Sequence, residues 1–243
     1  MSYDGFARVY DKHWGDWPQR ALPDLDRMGL GLLSPGDRVL DLCCGTGRLA
    51  ALLAERVIDV VGIDASSDMI EVARENAPSG EFLVADAATF TVAGPFAAAT
   101  STFDALNHII DRDELAAVFA RVNEVLVPGG LFLFDLNVAQ GFRDRWRGSL
   151  GLATHEEVVV ANSRWDERTG LAEMDLTIMV PFGDSWQRRD LHFVERAHPI
   201  EEVVESLAAE GFVDVETFDS HETLGWRETG RVFVACRKAP APR

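Results

Sequence analysis

Val39-Leu40-Asp41-Leu42-Cys43-Cys44-Gly45-Thr46-Gly47-Arg48 is the stretch on which the reading of this chain turns. An apolar run, RVLDLC (38–43), has the length and composition of a buried strand. It ends in a glycine turn, and an amphipathic stretch over 47–57 predicts a helix directly after it. Glycine admits the tight turn and leaves no Cβ to obstruct a ligand. The helix start beside it presents unpaired amides. In open α/β sheets the crevice at the carboxyl end of the first strand is where nucleotide-like ligands bind. Gly45, Gly47 and Ala50 also satisfy the dinucleotide pattern G-x-G-x-x-G/A, so this stretch alone leaves the ligand open.

Outward from it the same rhythm continues. Strands are expected over 59–64, 81–86, 96–103 and 131–137. Between them, 66–77 reads as a helix capped by Ser66, and 111–126 as a helix with Asp111 and Glu114 at capping-box spacing, stopped by Pro128-Gly129-Gly130. A shorter helical region precedes residue 35. Near-continuous apolar strands alternating with helices indicate a parallel sheet covered on both faces. The rhythm then changes to period two in EEVVVANSRW (156–165), LAEMDLTIMV (171–180) and SWQRRDLHFV (185–194), which predicts three antiparallel strands separated by Arg168-Thr169-Gly170 and Gly183-Asp184. A helix at 199–210, with Pro199 in its first turn and Gly211 after its end, leads to two closing strands at 212–218 and 231–237.

Composition narrows the function. The chain has 243 residues, enough for one large domain with an insertion, and a net charge of −17. That field repels phosphate backbones and anionic membrane surfaces, so neither nucleic acid nor membrane is an expected partner. Cys43, Cys44 and Cys236 form neither a disulfide framework nor paired metal-ligand spacing, and no metal is expected. Three cysteines so placed, an N-terminus without an apolar core and the lack of a membrane-length apolar run suggest a cytoplasmic protein.

Acids at strand ends point to the ligand. Asp64 ends the second strand, where a carboxylate can accept both ribose hydroxyls, and it equally suits a helix cap. Asp41 lies inside the apolar first strand, where a carboxylate is costly unless paired. An ammonium near the glycine turn would pair with it, whereas a pyrophosphate would be repelled. Asp86, followed by Ala87, ends the third strand and can accept an adenine amino group. Three such acids favour a cationic adenosyl ligand over an anionic dinucleotide.

Together VLDLCCGTGRLA, VVGIDASSDMI, FLVADAATF and VLVPGGLFLFDL resemble, in order, the motifs of class I S-adenosylmethionine-dependent methyltransferases over residues 37–137. Cys43 departs from the pattern, standing where many members carry a first glycine. The resemblance implies an α/β fold of Rossmann-like type: a doubly wound, seven-stranded, mostly parallel sheet with an antiparallel final strand, here with a three-stranded antiparallel insertion after strand five. It divides the chain into an N-terminal helical lid (1–34), a cofactor-binding domain (35–140 and 198–239) and an insertion (141–197) roofing a substrate pocket. It implies S-adenosyl-L-methionine as cofactor, with Asp41, Gly45 and Gly47 at its methionine part, Asp64, Ala65 and Met69 at the adenosine, Asp86 and Ala87 at adenine, and Thr102 and Phe103 at the methyl region. Tyr10 and Trp14 match aromatic positions of a lid helix.

The insertion and the segments Ser101–His108 and His192–Pro199 further resemble a subgroup of glycine N-methyltransferase-like and amino-sugar N-methyltransferases. A small-molecule acceptor is expected, with an amine ahead of a hydroxyl. His108 is the first candidate base and His192 the second, while Trp165, Met174 and Trp186 are candidates for the pocket wall. Two other readings stay open: a NAD-dependent oxidoreductase, for which no Tyr-x-x-x-Lys pair is evident, and a non-catalytic cofactor-binding scaffold whose inserted sheet would serve a homodimer.

Overall fold

The computed structural model describes residues 6–241. Two helices, α1 (Ala7–Trp14) and α2 (Trp17–Arg27), precede the alternating core. That core runs β1 (Arg38–Leu42), α3 (Arg48–Ala54), β2 (Asp59–Asp64), α4 (Ser67–Asn76), β3 (Glu81–Val84), β4 (Phe96–Ser101), α5 (Arg112–Val125) and β5 (Leu126–Asn137). The helix starts are made by the residues expected to make them. Ser66 Oγ accepts the Met69 amide at 3.3 Å, and Asp111 Oδ1 accepts the amides of Asp113 and Glu114 at 2.9 and 3.0 Å.

After β5 come α6 (Ala139–Arg145), β6 (Gly148–Ala153), β7 (Val158–Asp166), β8 (Leu171–Phe182) and β9 (Ser185–Arg196). The chain closes with α7 (Ile200–Ala209), β10 (Phe212–Asp219) and β11 (Arg231–Lys238). The main sheet has seven strands in the order β10-β11-β5-β4-β1-β2-β3. The pairs among β1 to β5 are parallel, and β11 is antiparallel to both neighbours. This is the doubly wound, Rossmann-like arrangement, and β1 lies inside it, between β2 and β4.

Alternation along β1 assigns the two faces. Leu40 and Leu42 join Val118, Phe119 and Val122 of α5 and Val203 and Leu207 of α7 in one core. Val39 joins Leu49, Ala50 and Leu53 of α3, Ile70 and Ala73 of α4 and Leu25 of α2 in the other. Asp41, two residues from Val39, has the parity of the α3 face.

Two expectations change. The inserted sheet has four strands, in the order β6-β7-β8-β9. The extra one, β6, is exposed at every residue, so it carries no buried-face alternation for sequence reading to detect; its ladder with β7 defines it. Pro128-Gly129-Gly130 lies within β5, where Gly129 takes a φ of +79°. The helix before it has already ended at Val125. The inner face of the inserted sheet, with Val159, Leu176, Ile178 and Phe193, packs on Phe6, Val9 and the α4 residues Met69 and Val72. Helix α1 is thereby caught between the insertion and the main domain.

Candidate functional site

The carboxyl end of β1 opens into a cleft. Its walls include Tyr10, Trp14, Asp41, Gly45, Thr102 and Phe103. These six expected residues therefore meet although they span the chain from α1 to the loop after β4. Gly47, Asp64, Ala65, Met69, Asp86 and Ala87 do not line this cleft.

The turn that forms the floor is left-handed at three of five residues. Cys43, Gly45 and Gly47 have φ values of +55°, +52° and +71°. Cys43 is the only one with a side chain, so the position where related motifs carry glycine holds a strained thiol, at a typical cost of about 1–2 kcal/mol. The two glycines serve different ends. A Cβ on Gly47 would lie 2.9 Å from Ala73 Cβ, so its absence lets α3 start against α4. A Cβ on Gly45 would meet only Tyr10 Cε1, at 3.9 Å, so its absence leaves room in the cleft.

Asp41 is 2% exposed. Its Oδ1 accepts a hydrogen bond from Thr100 Oγ1 at 2.9 Å, across the β1–β4 register. Its Oδ2 is buried and, among the described residues, has no hydrogen-bond partner. Burial pushes this carboxyl up to about 7; the Thr100 bond opposes the shift and the nearby Asp64 adds to it. An orphaned, buried carboxylate oxygen on a cleft wall fits a ligand that brings a cation.

Asp64 bridges the two loops beside it. Its Oδ2 accepts the Gly45 amide and its Oδ1 the Ser66 amide, both at 2.9 Å. Burial raises its pKa against those backbone bonds. Asp86 lies beyond the end of β3, exposed, its Oδ1 accepting from the Ala88 amide at 2.9 Å and Thr89 Oγ1 at 3.3 Å. Ala65 is exposed and Met69 buried.

Helix α1 is strapped over the cleft. Asp11 pairs with Arg48, the first residue of α3, and accepts from Asn76 Nδ2 at 3.0 Å; Asn76 Nδ2 also donates to the Thr46 carbonyl at 2.8 Å. Lys12 and His13 both reach Glu157 at 2.8 Å, tying the helix to the insertion. The Tyr10 ring lies 5.9 Å from Trp14 and 6.2 Å from Phe103.

The loop after β4 is held by a cluster that the sequence reading overlooked. Asp135, in β5 and fully buried, accepts the amides of Phe103 and Asp104 at 2.6 and 3.0 Å. Those two residues have φ of +64° and +52°. Arg231 of β11 pairs with both Asp135 and Asp104 and places its guanidinium over Phe103 and Trp17. The available signal was an acid inside LFLFDLN, the same kind that marked Asp41.

The two histidines part company. His108 ends a short 3₁₀ turn (Ala105–His108) and faces Glu195 of β9. His192 is turned to the opposite face, half exposed and bound to Asp175 at 2.8 Å, because side chains alternate along a strand and Phe193 and Glu195 take the inward side. The ring therefore lies on the other face of β9 from the one that His108 meets. Trp186 is exposed near the β8–β9 hairpin, and Trp165 stacks on Phe142 at 5.4 Å; Met174 packs inward. Among the described residues no group of three His, Cys, Asp or Glu could hold a metal ion, and no helix is long and apolar enough to cross a membrane.

Residues 39–130 match a family described as a methyltransferase domain. A Bacillus subtilis (strain 168) protein bearing the name of a methyltransferase, YqeM, is 29% identical over 98% of this chain and 98% of its own. The dTDP-3-amino-3,4,6-trideoxy-alpha-D-glucopyranose N,N-dimethyltransferase of Streptomyces venezuelae is 27% identical over 67% of this chain and 70% of its own. A solved S-adenosylmethionine-dependent methyltransferase from Clostridium acetobutylicum ATCC 824 shares the fold, with a TM-score of 0.80 at 23% identity, covering 98% of this chain and 99% of that one.

Proposed function

We propose that this chain, which is an S-adenosylmethionine-dependent methyltransferase, methylates an amine nitrogen of a small-molecule acceptor. The observation that carries the reading is the cleft itself. It runs from the orphaned Asp41 oxygen to Thr102 and Phe103; His108, on the next turn of chain, lies outside its lining and faces Glu195 of the inserted sheet. The Streptomyces venezuelae relative, named for dimethylation of an amino sugar, supports nitrogen over oxygen.

When bound, the cofactor supplies a methyl group already activated on a sulfonium. The protein's share is therefore alignment and exclusion of water. Asp41 pairs with the amino-acid ammonium, and the Gly45 turn leaves room for that end of the cofactor. Asp64 receives the ribose hydroxyls, with Ala65 and Met69 beside the adenosine, and Asp86 and Ala87 receive adenine. Tyr10, Trp14 and Phe103 close the cleft to solvent, and the inserted sheet backs the acceptor side. His108 takes the proton that an acceptor ammonium must lose before its nitrogen can attack.

Calorimetry with S-adenosylmethionine, followed by mass detection of product from dTDP-3-amino-3,4,6-trideoxy-α-D-glucopyranose and a panel of simple amines, tests the proposal. Cofactor binding with a mass gain of one or two methyl groups on an amine is expected. Transfer confined to carboxylate or hydroxyl acceptors would refute the nitrogen assignment.

A further inference from the structure

Glu195 is an acid where the fold has no local need of one. It is 4% exposed, on the inward face of β9. Its Oε1 lies 3.5 Å from His108 Nε2, and its Oε2 is buried with no hydrogen-bond partner among the described residues. An unpaired buried carboxylate oxygen carries a desolvation cost that local packing does not offset. Three consecutive residues of β9 address the same imidazole: Phe193 packs edge-on at 6.1 Å, Val194 hydrogen-bonds through its backbone, and Glu195 faces Nε2. The pair sits among Asp104 on the turn, Asp135 on β5, Arg145 on α6 and Arg231 on β11. Burial raises the carboxyl well above its usual range and lowers the imidazole, so each resists carrying a charge alone. One proton held between two such groups leaves the least uncompensated charge.

We propose that Glu195 is a positioning residue for His108: the two form a coupled pair at the acceptor side, and Glu195 stabilises the imidazolium formed when His108 takes a proton from the acceptor amine. This role rests on the amine reading above. The proton passes from the ammonium nitrogen to the imidazole. The freed lone pair forms the N–C bond as the C–S bond breaks, its electron pair remaining on sulfur. A carboxylate placed here also disfavours an acceptor whose reacting group is itself anionic, which would meet a second negative charge in a dry site.

The coupling is read without any acceptor. In protein saturated with S-adenosylhomocysteine and labelled at histidine, the His108 ring is titrated by NMR. In Glu195→Gln its midpoint is expected to fall by about one unit or more, since the ring loses the carboxyl that would share its proton. If Glu195→Gln does not fold, His108→Gln supplies the reciprocal reading: the Glu195 carboxyl, followed by its side-chain carbon signal, is expected to titrate higher. An unchanged midpoint in the variant that folds overturns the pair. Methyl transfer to the amino-sugar probe then separates the two ideas. In Glu195→Gln the acid limb of kcat/KM should move to lower pH together with the His108 midpoint. A limb that stays at its wild-type pH overturns the role of Glu195. If wild-type protein transfers no methyl group to any amine, the amine reading fails, and with it the catalytic part of the proposal, whatever the titrations show.

Discussion

Asp135 Oδ1 accepts the backbone amide of Phe103 at 2.6 Å, so a carboxylate buried in β5 fixes the left-handed turn that carries an aromatic ring to the cleft. The same carboxylate neutralises Arg231, whose side chain is 3% exposed. Removing it leaves the buried guanidinium with Asp104 and Glu228 alone, and takes the acceptor from two amides. Asp135→Ala should therefore lower unfolding free energy by about 3–5 kcal/mol. Urea denaturation at fixed pH measures this. A loss under about 1 kcal/mol would mean that the pair is solvated in solution.

Asp41 should tie cofactor binding to pH. Its carboxyl is held up to about 7 when no cation is present, above the usual 3.8. The folded state thus binds more protons than the unfolded one between those values, and stability falls as pH rises through that window. Asp41→Asn removes the penalty. At pH 8 the ligand-free variant should melt about 2–4 °C above wild type, corresponding to about 1 kcal/mol, as seen by scanning calorimetry. Its affinity for S-adenosylmethionine should nonetheless drop, and wild-type affinity should weaken as pH falls below about 7. Equal melting temperatures would show that Asp41 is not desolvated.

The two glycines of the turn should respond differently to alanine. At Gly47 the new Cβ would meet Ala73 Cβ at 2.9 Å and Cα at 3.0 Å, in addition to the strain of positive φ. A loss of about 2–4 kcal/mol is expected there from overpacking plus backbone strain. At Gly45 the nearest atom is 3.9 Å away, so only the strain of about 1–2 kcal/mol applies, while cofactor affinity falls because the cleft narrows. Chemical denaturation and calorimetry on both variants separate the two effects; the reverse order of stability would contradict the packing.

Asp64→Ala should weaken S-adenosylmethionine about 10- to 100-fold, since a hydrogen bond to a charged group contributes about 1.5–3 kcal/mol. The Gly45 and Ser66 amides lose their acceptor at the same time. Asp64→Asn, which keeps one oxygen, should fall between. Isothermal titration decides, and an unchanged dissociation constant in Asp64→Ala would remove the ribose role.

For the histidines, kcat/KM with an amine acceptor is the measure. His108→Asn should lose about 10²- to 10⁴-fold, the range for a positioned base. His192→Asn, altering an outward ring bound to Asp175, should stay within about twofold, as for other exposed substitutions. Equal losses would place both rings at the acceptor.

Much was legible before any coordinates. The strand-turn-helix at 38–48, the acids Asp41 and Asp64 and the caps Ser66 and Asp111 declare themselves through local pattern. Each depends on neighbours a few residues away or on the cost of a charge in an apolar run. The parity of β9 was legible too, since Leu191, Phe193 and Glu195 alternate with His192, and applying it would have turned attention to Glu195.

Sequence by itself determined the order of elements, the doubly wound sheet and the class of chemistry, because hydrophobic period and glycine placement are local properties of the chain. Tertiary structure alone decided that Tyr10 lies over Gly45, that Asp135 finds Arg231 and grips Phe103, that His108 faces Glu195 and that β6 is a strand at all. Those meetings join residues far apart in the chain. They follow from how the sheet and its insertion pack, and no local pattern encodes the distance between two groups that only packing brings together.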